Sequence, residues 1–376
     1  MSALYRNVFD DDELAFREEA AGAVAPLVGG NSRQVFQGRG GAVRQLYQEL
    51  GRRGWLSMCW PKDCGGQQRP LSYEFLLWDA LAEARAGRPD IGAGLIARVI
   101  ISHGTGSQRE RFLPGLASGT LACALGYSEP NAGSDLTHLG TRATLDGDSY
   151  VVRGQKIWTS DAHHADRLWL LCRTGGGEGH RGLTLLFLDL HTSGVSIRPI
   201  PTMDGHRLNE VFLDDAIVPV EDRIGAEGQA WAIIRESLAV ERHTQVLPGR
   251  LRSDLQDLRS ALDRAALSGR ADVELRFQAL SDRAVLVEAA SLTTVNELMA
   301  GAAAISEAAR AKLLASELCQ EIPRTGLELL GTAGVVDDSD MAFLWRQSIM
   351  ETIAGGTVEI MLSLIAREDL GLGSRS

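Results

Sequence analysis

Positive charge is in short supply in this chain: 38 lysines and arginines face 49 aspartates and glutamates, a formal net charge of −11. Such a surface is repelled by a phosphate backbone, which excludes nucleic acid as a partner, and it has no steady hold on an anionic membrane. Cysteine is scarce too. Cys59, Cys64, Cys123, Cys172 and Cys319 are scattered and odd in number, which excludes a disulfide framework and leaves packing thiols. Cys59 and Cys64 have no second ligand pair, so they do not read as half of a metal site. No apolar run reaches the roughly 18–20 residues of a membrane span. The opening MSALYRNVFDDDELAF is acidic and lacks the basic-then-apolar order of an export signal, so a soluble, cytoplasmic protein is expected.

What is present is ample apolar surface. The chain has 376 residues, 44% of them hydrophobic, enough to bury cores in two or three domains. Residues 10 to 118 read as helical. Leu14, Phe16, Ala20, Ala23, Val24 and Leu27 recur near helical spacing, and Gly29-Gly30 is expected to end that run. Val43, Leu46, Tyr47, Leu50 and Trp55 repeat the pattern. The segment Cys59–Pro70 is a loop full of breakers, and Ser72 is placed to cap the helix that follows. IGAGLIARVIISHGTG is apolar almost all round, as in a helix buried on several sides.

From about residue 121 the period changes to two. Asp146-Gly147 between alternating runs predicts a hairpin, and RLWLLCRT, GLTLLFLDL, VSIRPI and NEVFLDDAIVP complete a set of short strands fitting a β-barrel or sandwich. From Gly228 the helical period returns, with a kink or an interruption expected at Pro248. The architecture expected is α+β in three parts: an N-terminal helical domain over 1–120, a β-barrel over 121–227 and a C-terminal four-helix bundle over 228–376.

Two stretches carry chemistry. In LGYSEPNAGSD (Leu125–Asp135), Asn131, Ala132 and Gly133 are expected to form a tight turn after Pro130. Gly133 is free to take positive φ and to let backbone approach a ligand, while Ser128 and Ser134 offer hydroxyls. In RGQKIWTSD (Arg153–Asp161), Trp158 stands beside the hydroxyls of Thr159 and Ser160, a plane and short donors suited to a flat heteroaromatic ring. Each alone is a common surface pattern. Together and in this order, and with GGTVEIMLSLIARE (Gly355–Glu368) near the end, they resemble the acyl-CoA dehydrogenase family over nearly the whole chain.

The resemblance implies FAD and dehydrogenation of an acyl thioester, carried by coenzyme A or an acyl-carrier protein. A carboxylate takes the α-proton while the β-hydrogen leaves as hydride to flavin N5. Because the α-proton is a poor acid, the thioester oxygen must be held by donors as enolate-like charge develops. The family pattern maps onto Leu125, Tyr127, Ser128 and Gly133 for the cofactor, with Ser134 near its pyrophosphate or the thioester arm. It sets Trp158 against the ring with Thr159 beside it and the Ser160 hydroxyl at N5. Thr357 and Glu359 fall where the family touches the cofactor's polar half, although the family has Gln where Glu359 stands.

The usual base is missing. The family's loop reads aromatic-Glu-Gly-Thr, and here the run is Ile353-Ala354-Gly355-Gly356-Thr357, so Gly355 stands for the carboxylate and retains only its backbone N–H as an oxyanion donor. Some members carry the base in a Glu-Arg pair on the first C-terminal helix, matched here by Glu241-Arg242. Trp231, Ile234 and Leu238 step along one face with Glu241 next on the stripe, where burial would raise its pKa and make it a stronger base. The alternative for Glu241 is a structural ion pair with Arg242, Arg235 or His243. Glu241 is taken as catalytic, with Ser134, Arg242, Gly355 and Gly356 as substrate contacts.

No metal is expected. His163 and His164 lack a third ligand and read as loop residues beside the flavin. The family's Arg-x-x-Phe-Gly, which reaches the adenine of a neighbouring subunit's FAD, is absent from Ala266–Ala284, leaving Arg276 or Arg324 as substitutes. An electron-transfer flavoprotein or similar acceptor and a homodimer or homotetramer are implied. Two other functions remain open: a desaturase acting further along the chain or a flavin monooxygenase on the same scaffold, and a non-catalytic subunit of a hetero-oligomer.

Overall fold

The computed structural model describes residues 2–28, 41–175, 177, 179–241, 244 and 247–373, with the side chains of 41–42 and 238–241 outside that description. In chain order the first helices are α1 (Ala3–Val8), α2 (Asp11–Val28), α3 (Gly41–Arg52), α4 (Leu71–Glu83), α5 (Ala97–His103) and α6 (Gly106–Ala117). The strands are β1 (Cys123–Gly126), β2 (Arg142–Asp146), β3 (Ser149–Ser160), β4 (Arg167–Arg173), β5 (Leu183–Asp189), β6 (Val195–Pro201), β7 (Arg207–Pro219) and β8 (Arg223–Ile224). The last helices are α7 (Ala230–Glu241), α8 (Pro248–Arg264), α9 (Ala271–Met299), α10 (Ile305–Leu330), α11 (Asp340–Glu351) and α12 (Val358–Leu370). The chain forms two compact units, one of Met1–Phe36, Pro70–Pro89 and Ala239–Ser376, the other of Gln37–Arg69 and Asp90–Leu238.

The unit that contains the sheet is one hydrogen-bonded array in the order β6-β7-β3-β2-β4-β5-β8, with β1 added parallel to β4. The expected hairpin is there: Asp146 pairs with Ser149, and Gly147 turns the corner at a φ of 57°. Alternation along the strands buries Tyr150, Val152, Leu168, Leu170, Leu186, Leu188, Val211 and Leu213 in one core. The apolar 91–103 stretch is not uniformly α-helical. Gly92–Ile96 forms a π-helical turn before α5, and its small residues leave room for Leu116 against Gly92. Thr105 and Gln108 then make a reciprocal capping box at the start of α6.

The other unit is helical. Asp10 and Glu13 cap each other's backbone N–H at the start of α2. Ser72 does not cap α4. Pro70 holds that position, and the Ser72 side chain is buried inside the helix, where its hydroxyl donates to Glu13. The interruption at Pro248 is present, and Pro248 opens α8, where its missing N–H costs nothing. Leu251, Leu258, Leu262, Val273, Leu280, Leu318, Ile322, Met341 and Leu344 fill the bundle core. Gly29-Gly30 lies outside the described residues, just beyond α2.

A buried ionic cluster fastens this unit. Asp79 on α4 accepts from Arg17 on α2 at 2.9 Å, from Arg252 on α8 at 2.5 Å and from the Gly249 N–H at 2.6 Å. The two guanidiniums and the Gly249 N–H outweigh the burial that pushes Asp79 up, so its pKa is lowered. Gly249 is required at this crossing, because a Cβ there would collide with the Asp79 carbonyl.

Candidate active site

The two motif stretches meet in the sheet-containing unit. Tyr127 O accepts from the Lys156 ammonium at 3.2 Å, and Ser128 O accepts from the Ile157 N–H at 3.0 Å. Glu129 Oε1 accepts from Lys156 at 2.7 Å. Glu129 also takes the N–H of Thr141 at 2.9 Å and that of Gly140 at 2.5 Å. Three consecutive residues after β1 are thereby fastened to β3. Lys156 has no exposed surface, and burial drives its pKa down, opposed by Glu129. Burial pushes Glu129 up, but Lys156, Thr141 and the Gly140 N–H outweigh it and hold the carboxyl below its usual range.

The turn after β1 differs from the sequence expectation. Glu129 and Ala132 exchange backbone hydrogen bonds at 2.8 and 3.1 Å, so Pro130 and Asn131 form its tip. Gly133 is not in the left-handed region, and a Cβ there would meet open space. Neither its φ nor a crowded neighbour requires glycine there, and the position is left open to a ligand. Ser134 is exposed beside it, while Leu125, Tyr127 and Ser128 are half-buried.

Across from that turn, β3 carries a register irregularity between Lys156 and Thr159. Trp158 sits in it at a φ of 59° and leaves 55% of its surface exposed. A bulky residue in the left-handed region is strained, and such strain concentrates at ligand sites. Thr159 is buried, and its hydroxyl has no partner among the described residues. Ser160 is exposed. Behind this strand, Asn209 Nδ2 donates to Thr159 O at 2.9 Å and approaches His163 Nδ1 at 3.3 Å. The His163 and His164 ring centroids lie 3.9 Å apart, with the planes tilted by 41°. Burial, with His164 and Arg207 next, pushes the His163 pKa down to about 4. Among the described residues no cluster of three or more histidines, cysteines or carboxylates is arranged to hold a metal.

The second set of residues lies in the helical unit, in the loop from α11 to α12. Gly355 and Gly356 are both left-handed, at φ of 67° and 101°, and a Cβ at Gly356 would press on Met361. Lys312, from α10, is buried and donates to the Ala354 and Gly356 carbonyls. Ser316 Oγ donates to Glu351 O at 2.9 Å, and Gln320 reaches Ser348 O at 3.5 Å and Thr352 Oγ1 at 3.3 Å. Successive turns of α10 therefore hold the end of α11 and its loop. Sequence reasoning missed all three side chains, and no sequence pattern marked them. Thr357 accepts from the Ile360 N–H at 3.3 Å as the cap of α12. Glu359 is exposed in the first turn, where its own N–H and Thr357 lower its pKa. Arg276 is paired with Glu328.

Glu241 is the last residue of α7 by its backbone. Its side chain and the whole of Arg242 lie outside the described residues. On that helix Ala230, Ile233 and Ile234 are buried and Trp231 is half-buried.

These residues fall within three matched family models: the acyl-CoA dehydrogenase N-terminal domain over residues 10–120, the middle domain over 124–216 and the C-terminal domain over 228–370. The chain belongs to the acyl-CoA dehydrogenases, oxidoreductases acting on CH–CH donors. It is 33% identical to "Acyl-CoA dehydrogenase FadE26" of Mycobacterium tuberculosis, with 91% of each chain covered. Among solved structures it resembles "Tcur3481-Tcur3483 steroid ACAD", with a TM-score of 0.91, 28% identity, and 97% and 98% of the two chains covered. It also resembles a chain of the ChsE4-ChsE5 complex from Mycobacterium tuberculosis, with a TM-score of 0.89, 30% identity, and 97% and 99% covered.

Family membership implies FAD, and the residues fit it. The exposed Trp158 plane, the partnerless Thr159 hydroxyl, the exposed Ser160 and Ser134 and the clearance at Gly133 are features a flavin would use. No helix among the described residues is long and apolar enough to cross a membrane.

Proposed function

We propose that this chain dehydrogenates a bulky acyl thioester with Glu241 as the base. FAD, when bound, supplies the two-electron acceptor. Leu125, Tyr127, Ser128, Gly133, Ser134, Trp158, Thr159 and Ser160 would hold it, with Thr357 and Glu359 as further contacts. Glu241 takes the α-proton, Arg242 orients that carboxylate, and the Gly355 N–H donates to the thioester oxygen. Gly355 and Gly356 present no side chain, which leaves room beside the acyl group. This suits a large substrate, in keeping with a relative described as a steroid acyl-CoA dehydrogenase. The carrier is coenzyme A or an acyl-carrier protein, and the partner is an electron-transfer flavoprotein or similar acceptor.

The observation that carries this reading is the engagement of the acids near the glycine loop. Glu351 pairs with Arg88 at 3.3 Å, and Glu359 is turned into its own helix start. Both are engaged by partners of their own, which leaves the Glu241-Arg242 pair as the base. The test is anaerobic titration of the flavin-loaded protein with a panel of thioesters, for wild type and Glu241→Gln. Bleaching of the flavin by wild type but not by the variant supports the assignment. Equal rates overturn it.

A second reading is a subunit of a hetero-oligomer, favoured by the two-chain character of the ChsE4-ChsE5 complex and by the missing adenine-side arginine. Colourless protein after reconstitution, turning yellow only with a second chain, would select it over a homodimer or homotetramer.

A further inference from the structure

We propose that Lys312 is a positioning residue for thioester polarisation, acting through the Ala354–Gly355 peptide to aim and strengthen the Gly355 N–H. The inference rests on Gly355 as the oxyanion donor. Lys312 is 3% exposed, and a buried ammonium is expensive unless its donors are filled. It fills two of them with main-chain oxygens, those of Ala354 and Gly356.

Covalent geometry then fixes a direction. No peptide bond among the described residues is cis, and in a planar trans peptide the C=O and N–H point opposite ways. With the Ala354 oxygen turned onto Lys312, the Gly355 N–H points away from α10. Gly355 itself is exposed. A cation on the carbonyl oxygen also draws electron density through the amide and makes its N–H a stronger donor. The gain is largest when negative charge develops on the acceptor, as it does at a thioester oxygen when the α-proton leaves. Ser316 and Gln320 bind carbonyls and a hydroxyl within Ser348–Thr352. They hold the end of α11 but do not touch the Ala354–Gly355 peptide.

The experiment compares wild type, Lys312→Met and Ser316→Ala, all loaded with FAD. Two readouts are used: the rate of flavin reduction by thioester, and the infrared carbonyl stretch of a bound thioester whose β-carbon is replaced by sulfur. Lys312→Met is expected to bind the analogue within a few-fold of wild type and to reduce flavin about 10- to 100-fold more slowly. That is part of the roughly 10²–10³ lost when a whole oxyanion donor is removed. Its carbonyl stretch moves toward the value in water, while Ser316→Ala keeps the wild-type stretch. A Lys312→Met stretch equal to wild type overturns the proposal whatever the rate, leaving Lys312 as a loop anchor only. If that variant does not fold, a crystal structure of wild type with the analogue decides. Gly355 N at about 2.7–3.1 Å from the thioester oxygen, with Ala354 O still on Lys312, supports the proposal, and Ala354 O turned off Lys312 overturns it. A wild-type stretch unmoved on binding removes the oxyanion reading itself, a different failure from an unmoved variant.

Discussion

Lys156 donates to Glu129 at 2.7 Å from a side chain with no exposed surface, and this pair joins the turn after β1 to the irregular end of β3. Removing one member leaves the other as an uncompensated buried charge. Glu129→Gln is therefore expected to cost about 3–5 kcal/mol, read from the denaturant midpoint, and to release FAD on gel filtration. A variant with wild-type stability and full flavin content would show that the pair does not organise the site.

The same carboxylate sets an acid limit. Its folded pKa lies below the usual 4.5, so the stability it contributes is present above that value and is lost as pH falls through the folded pKa. His163 adds to the slope at higher pH. Its pKa falls from 6.5 to about 4 on folding, so the unfolded chain takes up a proton first and stability drops as pH falls from 6.5 toward 4. His163→Asn is expected to flatten unfolding free energy against pH across that window. An unchanged slope would contradict this.

Trp158 combines exposure with a left-handed backbone. Trp158→Gly relieves a conformation that costs a non-glycine residue about 1–2 kcal/mol. The apo-protein is expected to be no less stable while FAD binding weakens, both measurable by thermal unfolding with and without added FAD. Loss of apo stability with unchanged FAD affinity would make Trp158 a packing residue.

Gly355→Ala places a Cβ on a residue at a φ of 67°. A loss of about 1–2 kcal/mol is expected, with slower flavin reduction by bulky thioesters than by small ones. A uniform slowing would locate the bulky group elsewhere.

Glu241→Gln is expected to keep its flavin and to slow reduction by about 10²–10⁴, the range for a general base. The pH dependence of the single-turnover rate in wild type gives the pKa of that base.

Much of this was legible where local rules decide. Asp146-Gly147 demanded a hairpin, and Pro248 marked a break, which it makes by opening α8. The order of Leu125–Asp135 before Arg153–Asp161 pointed to the family. Ser72 misled because a cap is a geometric role: Pro70 filled it two residues earlier, and Glu13 claimed the hydroxyl. Gly133 misled because a glycine is free to take positive φ without doing so, and only coordinates show which it does. Lys312 was invisible because its partners are main-chain oxygens far along the chain, which leave no complementary residue to find.

That last contact has a bearing on how such a site changes. An anchor that grips main-chain oxygens is indifferent to which side chain follows each α-carbon. Substitutions at Ala354, and at Gly355 where the dihedral is tolerated, can reshape the room beside the acyl group while the loop's footing stays put. Substrate range can drift without the tether being rebuilt.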